Sequence, residues 1–291
     1  MQTGSVLGLL PPDPLMREAD VVFGQPAVDG LLDAPKVRWV QVSSAGVTRY
    51  DTPEFKAAAE ARGLALTNSS HVYDQACAEH VFSFMLAQAR MLPEALATRT
   101  ANGSREWLSL RGRSRLLQGQ SVLIVGYGAI AECLVKLLAP FEMEITAVRR
   151  KVRGDELVAM VTPETMADAL VSADHVVNIL PDHTGSRAFF GTEKFTGMKK
   201  GAIFYNIGRG TTVDQEALVG ALSSKRLKAA WLDVTDPEPL PEGHALLTLA
   251  NCFITPHVAG GHHNESLTFV RHFLANLARF ERGEPLSDRV M

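Results

Sequence analysis

Cysteine is nearly absent: Cys77, Cys133 and Cys252 are the only three in 291 residues, odd in number, far apart and set among apolar neighbours. A disulfide framework and a CxxC metal site are therefore not expected, and each thiol reads as a small core residue. Neither sign of charge dominates. With 29 Lys and Arg against 32 Asp and Glu, the formal net charge is −3, which offers no global basic field for nucleic acid or an anionic membrane. Long apolar runs are missing too. The start, MQTGSVLGLLPPDPLM, lacks a basic n-region and a long apolar stretch, so neither a signal peptide nor a membrane anchor is expected, and a cytoplasmic location is. There is no solenoid-period repeat and no low-complexity segment. What remains is 46% apolar and 21% charged residues, the proportions of a globular protein, in a chain long enough for two domains.

The most informative stretch is 121–149, SVLIVGYGAIAECLVKLLAPFEMEITAVR. Val122, Leu123, Ile124 and Val125 form the uninterrupted apolar run of a parallel strand buried on both faces. Gly126 allows the tight turn that follows, Gly128 has no side chain to hold a pyrophosphate away from the backbone, and Ala131 is small enough for helix and strand to pack closely. The amphipathic ECLVKLL and a second strand, ITAV, complete a βαβ nucleotide-binding unit with a helix N-terminus aimed at the phosphates. Where an NAD-preferring enzyme carries Asp or Glu at the end of the second strand, this chain has Arg149, Arg150 and Lys151. Guanidinium groups can grip a 2′-phosphate that a carboxylate would repel, so NADP is expected over NAD.

Around this unit the pattern alternates throughout. VLGLL, ADVVFG, VRWVQVSS and LALTNSS read as strands, with AVDGLLD and PEFKAAAEAR as helices between them. Ala45-Gly46-Val47 then forms a loop at the carboxyl end of a strand, where open α/β sheets bind ligands. Residues 73–90 read as a long buried helix in which His80 is a satisfied core or interface residue. The polar, arginine-rich NGSREWLSLRGRSRLLQ reads as a connector or arm. Beyond the glycine fingerprint come the strands DHVVNIL, AIFYNI, KAAWLDV and FIT, and a closing helix, LTFVRHFLANLARFERG, expected to return to the first domain. The expected division is 1–92 plus 264–291 for a substrate domain and 93–263 for a dinucleotide-binding domain with a dimerisation arm.

Arg209, Glu238 and His257 stand after three consecutive strands of the second half. They supply a charge for a carboxylate, an imidazole for proton transfer and a carboxylate to orient and charge that imidazole. His257, His262 and His263 are not read as a metal site, because no acidic or cysteine partner stands at ligand spacing.

NIGRGTTVDQEAL, LDVTDPEPLP and FITPHVAGG resemble the signature segments of the D-isomer-specific 2-hydroxyacid dehydrogenases, and SSAGVTRYD, NSSHVYDQACAEH and ILPDHTGSRAFFG extend the likeness over most of the chain. The resemblance implies two Rossmann-like doubly wound parallel-sheet domains with a cleft between them. It implies an NAD(P)-dependent oxidoreductase for a small 2-keto or 2-hydroxy acid of D configuration, of the glyoxylate/hydroxypyruvate reductase kind, working as a homodimer. It assigns Arg209 to the substrate, Glu238 and His257 to the acid–base dyad, and Ala45 and Gly46 to backbone donors for the substrate carboxylate. Gly126, Gly128, Ala129, Ile130, Arg149, Arg150, Leu180 and Pro181 fall along the cofactor, and Ile207, Gly208, Asp233, Ala259 and Gly260 around the nicotinamide. Three features depart from the family pattern: a short first domain, SSHV after Asn68, and His262-His263 after the paired glycines. A phosphite-type dehydrogenase and a dinucleotide-sensing regulator of the same fold stay open as alternatives.

Overall fold

The computed structural model describes residues 13–99 and 102–291. The first expected strand, VLGLL at 6–10, lies outside the described residues. The chain divides into two compact units, one formed by the residues up to Asp74 together with Gly261–Met291, the other by Gln75–Gly260.

In the first unit three parallel strands, β1 (Val21–Gly24), β2 (Trp39–Val42) and β3 (Ala65–Thr67), lie in sequence order. Helix α1 (Val28–Leu32) and helix α2 (Pro53–Arg62) connect them. Thr52 caps α2 by accepting from the Phe55 N–H, and Gly63, at φ +63°, ends it in the left-handed conformation that suits glycine. The C-terminal helix, Glu265–Glu281, belongs to this unit. Its Phe273 stacks on the wholly buried Trp39 with ring centroids 5.4 Å apart, and Phe280 lies 5.5 Å away on the same indole. Burial of aromatic side chains in such pairs contributes about 1.5–3 kcal/mol each. The tail then pairs with β3 through an antiparallel bridge between Thr67 and Arg289. Asp288, its side chain 6% exposed, is placed between His71 and His272, and its hydrogen bonds overcome burial and hold its carboxyl well below the usual range.

Helix α3 (Ser70–Ala89) carries the chain out of the first unit. Helix α3 already ends at Ala89, with Pro93 in the first turn of the next helix, and the division between units falls inside α3, at Asp74/Gln75. Part of what reads as a connector is helical: α4 (Leu92–Thr98) is followed by α5 (Arg105–Arg113), capped by Ser104, with Arg111 over the Trp107 ring.

The second unit is a seven-stranded parallel sheet. Its strands are β4 (Ser121–Val125), β5 (Glu144–Val148), β6 (Ala159–Val161), β7 (His175–Asn178), β8 (Ile203–Asn206), β9 (Ala229–Leu232) and β10 (Cys252–Ile254), in the order β10-β9-β8-β7-β4-β5-β6. Between them run α6 (Ala129–Leu138), α7 (Ala167–Ser172), α8 (Thr192–Gly197), α9 (Gln215–Ser223) and α10 (Ala245–Thr248). Strand β6 does not emerge from the sequence pattern, since AMV is too short for periodicity and is only half-buried at the sheet edge. The inner strands β7, β8 and β9 are buried at every position, as the apolar runs imply. Phe204 meets Phe190 and Phe195 edge-on in the core. The strand order reverses between β4 and β7, and a doubly wound sheet binds its ligand outside the carboxyl ends of the strands at such a switch point.

Candidate active site

Strand β4 is followed by Gly126, at φ +102°, where a β-carbon would lie 3.1 Å from the backbone of Ile179. Both the backbone angle and the space require glycine there. Gly128 differs. It is the N-cap of α6 with an ordinary extended φ of −133°, and a β-carbon on it would meet nothing within 4 Å. The protein itself places no demand for glycine at 128, and its missing side chain leaves the free N–H groups of α6 open to approach.

In front of this turn a cavity of about 820 Å³ opens over the ends of β5, β4 and β7. Gly126, Arg149, Arg150, Leu180 and Pro181, which the sequence assigns to the cofactor, line it together with Tyr127, Lys151, Arg153 and His183. Ala129 and Ile130 form the first turn of α6 beside it. Open space at Gly128, a helix N-terminus and a cationic wall fit a dinucleotide. Arg149 is not free for one, however. Its Nη1 donates to Glu156 Oε1 at 3.1 Å. Glu156 is 3% exposed and also accepts from the Arg153 and Gly154 N–H groups, each at 2.7 Å, and the bond from Arg153 leads in holding its carboxyl down at about 2. Glu156 thus closes the 149–156 segment into a fixed loop. The side chains of Arg150, Lys151 and Arg153 form no ion pair among the described residues and outnumber Glu164 on the same lining, which leaves the wall net cationic.

Arg209, Glu238 and His257 follow β8, β9 and β10, which are neighbours in the sheet, so their loops lie side by side. His257 Nδ1 is 3.1 Å from both oxygens of Glu238. With 49% and 39% of these side chains exposed, the pair adds little to stability, and its effect is to orient the ring. Since Nδ1 faces the carboxylate, Nε2 is the nitrogen left for chemistry. Arg209 is half-buried, donates from Nη1 to the Gly208 carbonyl at 2.6 Å and meets no carboxylate among the described residues.

The supports of these residues are buried amides and a buried acid. Asn178 donates to Asn206 Oδ1 and to Thr212 Oγ1, while Asn206 donates to the Arg209 carbonyl and accepts from the Gly208 N–H. Asp233, 1% exposed, accepts from Thr255 Oγ1 at 2.5 Å and from the Val258 and Ala259 N–H groups at 2.9 Å. Its carboxylate is therefore turned to the loop bearing His257. The left-handed φ of +52° at His257, a strain of about 1–2 kcal/mol, is held by these bonds. Ile207, Gly208 and Ala259 are buried in the same loops, with Gly260 next to Ala259. Asn178 and Glu156 carry no motif signal, and Asn206, although it opens NIGRG, is revealed as a support only by its place in the fold.

Ala45 and Gly46 follow β2 in the first unit. Their carbonyls are engaged, the Ala45 oxygen by Asn68 Nδ2 at 2.8 Å and the Gly46 oxygen by Ser44 Oγ at 2.5 Å. Their N–H groups make no hydrogen bond to protein among the described residues.

The model of the D-isomer specific 2-hydroxyacid dehydrogenase NAD binding domain matches residues 82–259. The chain belongs to the D-isomer-specific 2-hydroxyacid dehydrogenase family. This dehydrogenase is 35% identical over 267 residues to the mouse glyoxylate reductase/hydroxypyruvate reductase, covering 88% of this chain and 78% of that protein. With the human protein of the same name the identity is 32% over 264 residues, with the same coverage. A D-isomer specific 2-hydroxyacid dehydrogenase from Xanthobacter autotrophicus Py2, solved in complex with NADPH and MES, superposes with a TM-score of 0.78 at 25% identity, covering 95% of this chain and 85% of that one. The chain is thus an oxidoreductase that acts on the CH–OH group of a small 2-hydroxy acid with a nicotinamide dinucleotide. Among the described residues no helix is long and apolar enough to cross a membrane.

Proposed function

We propose that this dehydrogenase reduces a small 2-keto acid of the glyoxylate or hydroxypyruvate kind, giving the D isomer where the product is chiral, and that it prefers NADPH to NADH. The observation that carries the chemistry is His257 Nδ1 at 3.1 Å from both oxygens of Glu238, on a loop beside that of the unpaired Arg209. The names of the mammalian relatives support the substrate class.

In this reading Arg209 binds the substrate carboxylate through its planar fork. A bound nicotinamide supplies the hydride. His257 delivers a proton from Nε2 to the carbonyl oxygen, where negative charge develops, and Glu238 holds the ring in that orientation. Gly126, Gly128 and the first turn of α6 hold the pyrophosphate, while Arg150, Lys151 and Arg153, with Arg149 fixed by Glu156, face the 2′-phosphate. A panel of 2-keto acids assayed with both dinucleotides tests the whole reading. Turnover of glyoxylate or hydroxypyruvate is expected, and tight dinucleotide binding without turnover of any acid would favour a sensing role instead.

Cofactor choice gives a sharper test. Arg150→Ala should weaken NADPH binding by more than tenfold, the roughly 1.5–3 kcal/mol of a charged hydrogen bond, and leave NADH binding unchanged. Equal use of both dinucleotides by the parent protein would overturn the phosphate assignment. At the glycine turn, Gly128→Ala should leave the melting temperature nearly unaltered, because nothing in the protein lies within 4 Å of the added methyl. Dinucleotide affinity should fall by tenfold or more in calorimetry. A variant that binds normally would place the pyrophosphate elsewhere.

The reading extends to assembly. Leu96 and Leu108, on the arm helices α4 and α5, are 73% and 59% exposed, and covering them with a second copy is the basis for the homodimer proposed here.

A further inference from the structure

His80 has no part in the chemistry described so far, yet it sits directly behind the loop that does. It projects from α3 in the stripe His80, Phe84, Gln88, one side chain per helical turn. Phe84 packs against Trp231 with ring centroids 4.9 Å apart, and Gln88 Oε1 accepts from the Trp231 indole N–H at 2.8 Å. Trp231 and Asp233 are two residues apart along β9 and its extension, so they project to the same side. The helix is thereby bolted to the strand, and His80 is brought to Asp233: its Nε2 lies 3.2 Å from Thr255 Oγ1 and 3.6 Å from Asp233 Oδ1.

The hydroxyl of Thr255 has one proton, and the 2.5 Å contact to Asp233 Oδ1 uses it. Toward His80 the oxygen can then only accept, so His80 carries its proton on Nε2 and donates. Burial is the largest influence on the imidazole and lowers its pKa against the pull of Asp233, which favours a neutral donor at pH 7. The order of donation runs from His80 to Thr255 to Asp233, and Asp233 in turn receives the Val258 and Ala259 N–H groups on the far side of His257. Every bond in this chain ends on residues 255–259, whose central residue has left-handed backbone geometry.

We propose that His80 and Thr255 are positioning residues for His257: through Asp233 they fix the 255–259 segment in the one backbone conformation that presents the imidazole to Glu238 and to substrate. This rests on the reading of His257 as the acid–base group. With the donor at 80 removed, the Thr255 hydroxyl is free to turn to other acceptors, Asp233 loses its fixed orientation, and the strained turn at His257 samples other angles. The proton donor is then misplaced for part of the time, which lowers the rate of the chemical step, while Arg209 and the glycine turn at 126–128 stay in place.

The test compares His80→Leu, His80→Gln, Thr255→Val and Thr255→Ser with the parent and with His257→Ala, in the full chain, using glyoxylate and hydroxypyruvate with NADPH. Kinetics, dinucleotide affinity by calorimetry and melting temperature are read for each. His80→Leu and Thr255→Val should each lower kcat by about tenfold or more, with KM for the acid and the dinucleotide affinity within twofold of the parent. His80→Gln, which keeps an amide N–H donor at similar reach, and Thr255→Ser should recover most of the loss. Combining His80→Leu with Thr255→Val should cost no more than either alone, because both break one chain of bonds. Parental kcat in both His80→Leu and Thr255→Val overturns the proposal, as does a kcat loss that neither Gln at 80 nor Ser at 255 relieves. Should His80→Leu fail to fold, Thr255→Val and Thr255→Ser decide the matter by themselves. Full turnover in His257→Ala would instead defeat the underlying assignment of the proton donor, which separates the two failures.

Discussion

Replacing His257 with alanine should lower kcat for keto-acid reduction by roughly 10²–10⁴-fold, with dinucleotide affinity nearly intact. Hydride arrival at a carbonyl carbon leaves negative charge on the oxygen, and a proton must reach it. In the proposed mechanism His257 presents Nε2 for that purpose, since Nδ1 is 3.1 Å from both oxygens of Glu238. Changing Glu238→Gln separates the two duties of the carboxylate. The amide oxygen can still accept from Nδ1 and hold the ring, but the negative charge beside it is gone, so kcat should fall by less than in His257→Ala. Steady-state kinetics of the parent and both variants measure this. Parental kcat in Glu238→Gln would show that the carboxylate has no part in the proton transfer.

Arg209→Lys should be far from benign, raising KM for the acid and lowering kcat together, with kcat/KM down by about 10²-fold, the size expected when substrate is misplaced by an ångström. The guanidinium is held by the Gly208 carbonyl on one side, and the loop behind it is tied by Asn206, Thr212 and Asn178. One face of the planar fork is left for a planar carboxylate. A lysine keeps the charge but offers a point donor, cannot span both oxygens and lets the acid pivot away from the line between hydride and proton. Steady-state kinetics with glyoxylate and hydroxypyruvate decide it, and parental constants would remove Arg209 from the substrate.

Much of this molecule is legible without coordinates. The apolar runs VLIV, HVVN, IFYN and AAWL announce strands buried on both faces, because parallel strands sandwiched between helices have no wet side to mark with polar residues. Where periodicity fails, so does the reading: AMV at 159–161 is three residues long and half exposed, and α5 is hidden in an arginine-rich segment with too few apolar positions to mark a face. Arg209, Glu238 and His257 can be picked out because each punctuates the end of a strand, and strand ends are where α/β folds expose chemistry.

What the sequence determines by itself is local and periodic: strand and helix identity, the glycine turn at 126–128, and the type of residue at the ends of β8, β9 and β10. These follow from short-range sterics and from alternation of apolar burial, both of which act between residues close in the chain. The tertiary structure alone decides the partners that meet across long separations. Arg149 is engaged by Glu156, Asn178 supports the loop of Arg209 from another strand, and Asp233 gathers Thr255, Val258, Ala259 and the distant His80 around His257. No spacing rule links residue 80 to residue 255, because their contact depends on how α3 packs on β9 and β10, and that packing is set by the whole core.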